Sequence, residues 1–119
     1  MTREEAIERY RIPLPVLRAY GSWGLGSAAE KTGAHQLDGS DIERLSLIMT
    51  LYDIGFADRE VERYMRLSLA GSQTAAERKR LLDEKRGQTL ETIHRCQQQL
   101  DRLDHLRYRL ARAGKPDAP

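Results

Sequence analysis

The chain has 119 residues, 39% of them apolar and 32% charged, with a formal net charge of +2. That length holds one small globular domain plus an extension, and the apolar-to-charged balance excludes a disordered or membrane-embedded chain. No apolar run approaches the roughly twenty residues of a bilayer span, and Met1-Thr2-Arg3-Glu4-Glu5 carries no signal-peptide core, so a cytoplasmic protein without membrane attachment is expected. A single cysteine, Cys96, cannot close an intrachain disulfide, and His35, His94 and His105 have no metal-ligand spacing; neither metal nor cofactor is expected. The mild positive charge permits nucleic-acid binding without arguing for it.

Thr2-Arg3-Glu4-Glu5 has capping-box form, in which hydroxyl and carboxylate satisfy free backbone donors, and predicts a first helix from about Thr2 to Tyr10. It stops before Pro13, because the residue preceding a proline is pushed out of the helical region. Pro15 can open a second, short helix through Val16, Leu17 and Arg18 to about Ser22, closed by the glycines Gly21 and Gly24 around Trp23, which is read as a core residue. Gly26 to Gly39 is rich in glycine, serine and alanine, and Lys31-Thr32-Gly33 suits a tight turn between two short strands.

Ser40-Asp41-Ile42-Glu43 repeats the capping-box form and predicts a third helix, Asp41 to about Ile54, burying Ile42, Leu45, Ile48 and Leu51, with Met49 and Tyr52 widening the face. Gly55 ends it. A fourth helix is predicted from Asp58 to about Leu69, with Val61, Tyr64, Met65 and Leu69 on one side.

A third capping-box form, Thr74-Ala75-Ala76-Glu77, opens a stretch to about Ala113 with no proline and one glycine, Gly87, a candidate bend. Some forty helical residues extend about 60 Å, longer than a small domain is wide. Such an arm needs another surface over its apolar stripe, and a second copy of the same helix is the expected partner. A heptad frame sets Leu82, Thr89, Cys96, Leu103 and Leu110 at one seam position and Arg86, Ile93, Leu100 and Arg107 at the other, with Leu90 and Leu106 beside them. The seam's arginines, threonine and cysteine suit a shorter antiparallel pairing, strongest between Ile93 and Leu110, that leaves part of the arm to pack on the partner's head, better than a long parallel zipper. The expected dimer interface is Leu90, Ile93, Cys96, Leu100, Leu103, Leu106 and Leu110, where Cys96 serves as a small apolar residue. The basic run Arg78-Lys79-Arg80 is read as a solvated face. The expected organisation is a head over 1–70, a coiled-coil helix over 74–113 and a flexible tail over 114–119.

The segment Ile12-Pro13-Leu14-Pro15-Val16-Leu17-Arg18-Ala19-Tyr20, ending at Trp23-Gly24-Leu25, resembles the recognition-helix segment of MerR-type winged-helix transcriptional regulators, where a Leu-Arg-Tyr-Tyr element precedes an aliphatic-Gly-Leu. Asp41-Ile42-Glu43-Arg44-Leu45 and Asp53-Ile54-Gly55-Phe56 with Glu60-Val61 resemble that family's next two helices. The resemblance covers almost the whole chain. It implies a mainly α fold with a winged helix-turn-helix head and a long C-terminal dimerisation helix in an antiparallel coiled coil. It further implies a homodimer bound to double-stranded DNA at a pseudo-palindromic promoter element, with the second helix in the major groove and the DNA distorted. Arg18 and Tyr20 match the family's phosphate contacts, and Lys31, His35 and Gln36 are the polar candidates in the wing.

The departures are Pro15 where the family commonly has an arginine, Ala19 where it has a second tyrosine, and Gly33-Ala34-His35-Gln36 where it has a Gly-Tyr-Arg-aromatic element. Fewer donors imply weaker or narrower DNA binding. The alternative reading is a protein-interaction module of the same fold that has lost independent DNA binding and pairs with a related regulator. No nucleophile with a nearby base, phosphate-cradling loop or paired carboxylates points to an enzyme, and beyond the arm no room is expected for an effector-binding domain.

Overall fold

The computed structural model describes residues 1–27 and 36–114. It is mainly helical, with no strand among the described residues. In chain order the elements are α1 (Arg3–Tyr10), α2 (Leu14–Trp23), α3 (Gly39–Asp53), α4 (Asp58–Ala70), a 3₁₀ turn (Ser72–Thr74) and α5 (Ala75–Ala113). The turn of the expected hairpin, Lys31-Thr32-Gly33, lies outside the described residues, as does the expected tail from 115 onward. The chain divides into two compact units: a head, Met1–Leu81, and an arm, Leu82–Pro119.

Local chemistry sets most helix ends in the head. Thr2 caps α1, its hydroxyl oxygen accepting from the Glu5 N–H at 3.1 Å. Arg11 then takes a left-handed conformation (φ 54°), turning the chain so that Ile12 is buried and Pro13 leads into α2. Pro15 sits in the first turn of α2, where no N–H is missed, and Gly24 (φ 68°) closes it. At the far end of α3, Gly55 (φ 96°) donates to the Tyr52 carbonyl and Phe56 to the Leu51 carbonyl. This pair of bonds is a Schellman stop, and it drops Phe56 into the core, where its ring meets Tyr64 at 6.4 Å.

None of the three expected capping boxes closes as read: at the first, Thr2 caps the helix, but its hydroxyl and not its backbone N–H meets the Glu5 carboxylate, at 3.3 Å. Helix α3 starts at Gly39, two residues early, because the box joins Asp38 to Asp41 and leaves Glu43 exposed: the Asp38 carboxylate accepts from the Asp41 N–H and the Asp41 carboxylate from the Asp38 N–H, each at 3.0 Å. The Thr74 hydroxyl turns back to the last turn of α4, within 2.6 Å of the Leu67 carbonyl and 2.9 Å of the Gly71 carbonyl. Glu77 meets Arg63 at 2.9 Å instead of a backbone donor. Between α4 and the 3₁₀ turn, Gly71 has φ 120°, a conformation closed to other side chains, and a Cβ there would lie 2.5 Å from the Gln73 amide oxygen.

The head's core is assembled from all four short helices. Ala6 of α1, Leu17 and Tyr20 of α2, Leu45, Ile48 and Leu51 of α3, and Val61, Tyr64 and Met65 of α4 are buried. On α3 the innermost stripe begins at Asp41, whereas Ile42, expected inside, is only half-buried. Leu69 is exposed and Trp23 half-buried, against the expectation that both belong to the core.

Helix α5 has 39 residues, about 58 Å of continuous helix through Gly87. It has no buried residue, and every described residue from Arg86 onward is exposed.

Candidate nucleic-acid interface

Helix α2 has two faces. Leu17 and Tyr20 point into the core, while Leu14, Pro15, Arg18 and Ser22 are exposed. At 100° per residue these four fall within one 100°-wide outward stripe. The helix carries no acidic residue, and among the described residues Arg18 forms no ion pair. Ser22 turns its hydroxyl back to the Ala19 carbonyl at 2.8 Å. The outward stripe therefore offers one free guanidinium on an otherwise uncharged surface.

Behind that stripe lies a polar hub. Asp41 is the buried charged residue of the head, and no buried side-chain polar atom among the described residues lacks a partner. Its carboxylate accepts from the Tyr20 hydroxyl, from the Ser27 N–H at 2.8 Å, from the Ser27 hydroxyl at 2.6 Å and from the Asp38 N–H. Burial alone would raise the Asp41 pKa. The hydrogen bonds from Ser27, Tyr20 and the backbone outweigh it and hold the carboxyl below its ordinary value. Tyr20 moves the other way: burial, reinforced by the bond to Asp41, pushes its phenol far above the usual range, so it remains a donor.

The residues after α2 are held from two more sides. The Arg44 guanidinium donates to the Leu25 carbonyl at 3.1 Å and stands 3.9 Å from Asp41, while Arg66 of α4 donates to the Trp23 carbonyl at 3.0 Å and to Glu62. Thus α3 and α4 both clamp the C-terminal end of α2 and the exit toward Ser27. Met1 and Leu37 exchange backbone bonds of 3.0 and 2.6 Å at the other side of that segment.

Of the residues expected to contact DNA, Arg18 is exposed on the outward stripe. Tyr20 is corrected: it is fully buried and its hydroxyl is engaged by Asp41, so it positions α2 from within and offers nothing to a phosphate. Gln36 is exposed, with its side-chain oxygen 3.2 Å from the Met1 nitrogen. Lys31 and His35 lie outside the described residues. The hub residues Asp41, Ser27, Arg44 and Arg66 were not anticipated. Asp41 had a signal, since it stands four and seven residues before the buried Leu45 and Ile48 and so falls on the apolar face of α3.

On the arm, Leu90, Ile93, Leu100, Leu103, Leu106 and Leu110 are 48–73% exposed, and Cys96 is exposed beside them. The row drifts slowly around the helix, as a 3.5-residue repeat does on a 3.6-residue helix. Compared with protein-family models, with curated proteins and with solved structures, the chain matches none.

Proposed function

We propose that this chain is a non-catalytic, sequence-specific DNA-binding transcriptional regulator of the MerR type, working as a homodimer on a pseudo-palindromic promoter element that it distorts. One observation carries this reading: α2 follows α1 through a three-residue turn, is anchored by a fully satisfied buried hub, and turns outward a stripe whose only charge is the free cation of Arg18. A helix so presented suits the major groove, and a guanidinium is a strong donor to phosphate oxygens. The arm supports the dimeric part. Its exposed aliphatic row is a surface that a twin helix would cover, and an antiparallel pairing would present two heads to two half-sites.

The burial of Tyr20 favours a second reading, in which the head has lost independent DNA binding and acts by pairing with a related regulator. Selection of bound fragments from random duplex DNA by the full chain separates the two. A regulator enriches a two-half-site sequence whose affinity falls steeply with added salt. Failure to enrich any sequence at low salt overturns the DNA reading and leaves the pairing module.

A further inference from the structure

Two depressions run side by side along the outer face of α3. The first, ≈580 Å³, lies between the α1–α2 turn and α3, with Tyr10, Ile12, Ile42 and Met49 in its apolar wall. The second, ≈380 Å³, lies between α2 and the end of α3, walled by Pro13, Pro15, Val16, Ala19 and Tyr52. Met49 and Asp53 line both, so the two form one trough. Among the described residues its carboxylates are Glu43, Asp53 and Asp58, and no described lysine, arginine or histidine lines either part.

The charge decides what can lie there. A DNA backbone is repelled by three carboxylates with no described cation beside them, so the trough is not a phosphate-binding surface, although Pro15 borders both it and the outward stripe of α2. The aliphatic row of a second copy's arm, Leu90 to Leu110, is covered if it pairs with its twin, and the arm before Leu90 carries no large apolar side chain as exposed as that row among the described residues. The floor has helical spacing: Ile42, Ser46, Met49 and Asp53 stand at i, i+4, i+7 and i+11, a strip about 16 Å long and three turns deep. The small Ser46 admits a close backbone, and the unbranched Met49 adapts to whatever aliphatic side chain it meets.

We propose that this trough docks an amphipathic helix of another protein, one that lays an aliphatic stripe on Ile42 and Met49 and flanks it with lysine or arginine facing Glu43, Asp53 and Asp58. The proposal goes beyond the DNA-binding reading and rests on it only in assigning the arm to self-pairing.

The test titrates the full chain with a fluorescein-labelled helical peptide of about four turns, leucine at i, i+3, i+4 and i+7 and lysine elsewhere, read by anisotropy and by backbone amide shifts. The expected result is salt-sensitive binding that moves the amides of Val16, Ala19, Ile42, Ser46 and Met49. It weakens at least about tenfold in Glu43→Lys/Asp53→Lys, which changes two exposed residues, and is absent for a peptide with glutamate in place of lysine. No binding, an unchanged affinity in the double variant, or shifts confined to Ile93, Leu100 and Leu103 would overturn it. So would a cross-link between Met49→Cys and Leu106→Cys of two copies in the peptide-free protein, which would assign the trough to the arm. DNA affinity measured on the same samples reports separately on the regulator reading, because the double variant leaves Arg18 untouched.

Discussion

The head and the arm are built from the same kind of helix and differ in where their apolar side chains go. In the head, four short helices of 8 to 15 residues bury aliphatic and aromatic side chains against one another, around a carboxylate whose every bond is made. In the arm, every described residue from Arg86 on is exposed. Burying a leucine contributes about 1.5–3 kcal/mol, so a row of six aliphatic side chains left in water is a large unused stabilisation. The difference teaches that the head's fold is an internal matter, whereas the arm's apolar row acquires a structural purpose only against a second surface.

The sharpest way to break this comparison is to put charge into the row. On the proposed dimeric reading, Leu100→Asp/Leu103→Asp abolishes self-association in sedimentation, raising the dissociation constant more than about a hundredfold, while the head's near-ultraviolet circular dichroism stays as it was. A head that unfolds with the dimer would erase the distinction.

A cavity in the head comes next. Leu45→Ala removes a fully buried side chain, and a loss of about 2–5 kcal/mol is expected in urea denaturation followed at Trp23. On the same dimeric reading, self-association through the arm persists in whatever fraction remains folded.

The hub gives a smaller, pH-dependent effect. Asp41→Asn is expected to cost about 1–3 kcal/mol at neutral pH, because donors arranged for a carboxylate are left imperfectly paired. The folded pKa of Asp41 lies below its ordinary 3.8, so its contribution is complete above about pH 4 and is lost as pH falls through the lower folded value. Asp38, also lowered, chiefly by the Ser40 hydroxyl, acts in the same direction. Denaturation midpoints measured between pH 7 and pH 3 should therefore fall more steeply in the wild-type protein than in Asp41→Asn, and parallel slopes would remove the carboxylate from the account.

Gly71→Ala is expected to destabilise by about 1 kcal/mol, since φ 120° is strained for any side chain and the new Cβ must displace Gln73. The smallest change in stability belongs to Arg18→Ala, within about 0.5 kcal/mol. On the proposed reading that substitution weakens DNA binding uniformly across sequences and lowers the salt slope by about one. An unaltered affinity would remove the outward stripe of α2 from the interface.

How much could be read from the chain follows the range of the interaction concerned. Thr2, the prolines around α2, Gly24, Gly55 and the unbroken run after Thr74 act on the backbone within a turn of themselves, so helix number, order and approximate ends were legible to within a residue or two. The heptad row, a periodicity of one helix, was legible for the same reason. Residues with two available partners were not. Thr74 and Glu77 formed a plausible box until the end of α4 and Arg63 came within reach, and the Ser40 hydroxyl expected to cap α3 donates instead to Asp38, which itself caps the helix with Asp41.

The amino-acid order alone thus determined the helices and the arm's one-sided apolar row, because propensity, capping and periodicity are settled by neighbours in the chain. Folding in three dimensions decided that Tyr20 faces inward, that Asp41 gathers α2, Ser27 and the start of α3, and that Met49 and Asp53 join two depressions into one acidic trough. The first two of those outcomes depend on groups more than ten residues apart, Tyr20 and Ser27 with Asp41, meeting where water is excluded, and there a satisfied hydrogen bond or its loss outweighs any local preference; the trough follows from how α2 and the α1–α2 turn pack along α3.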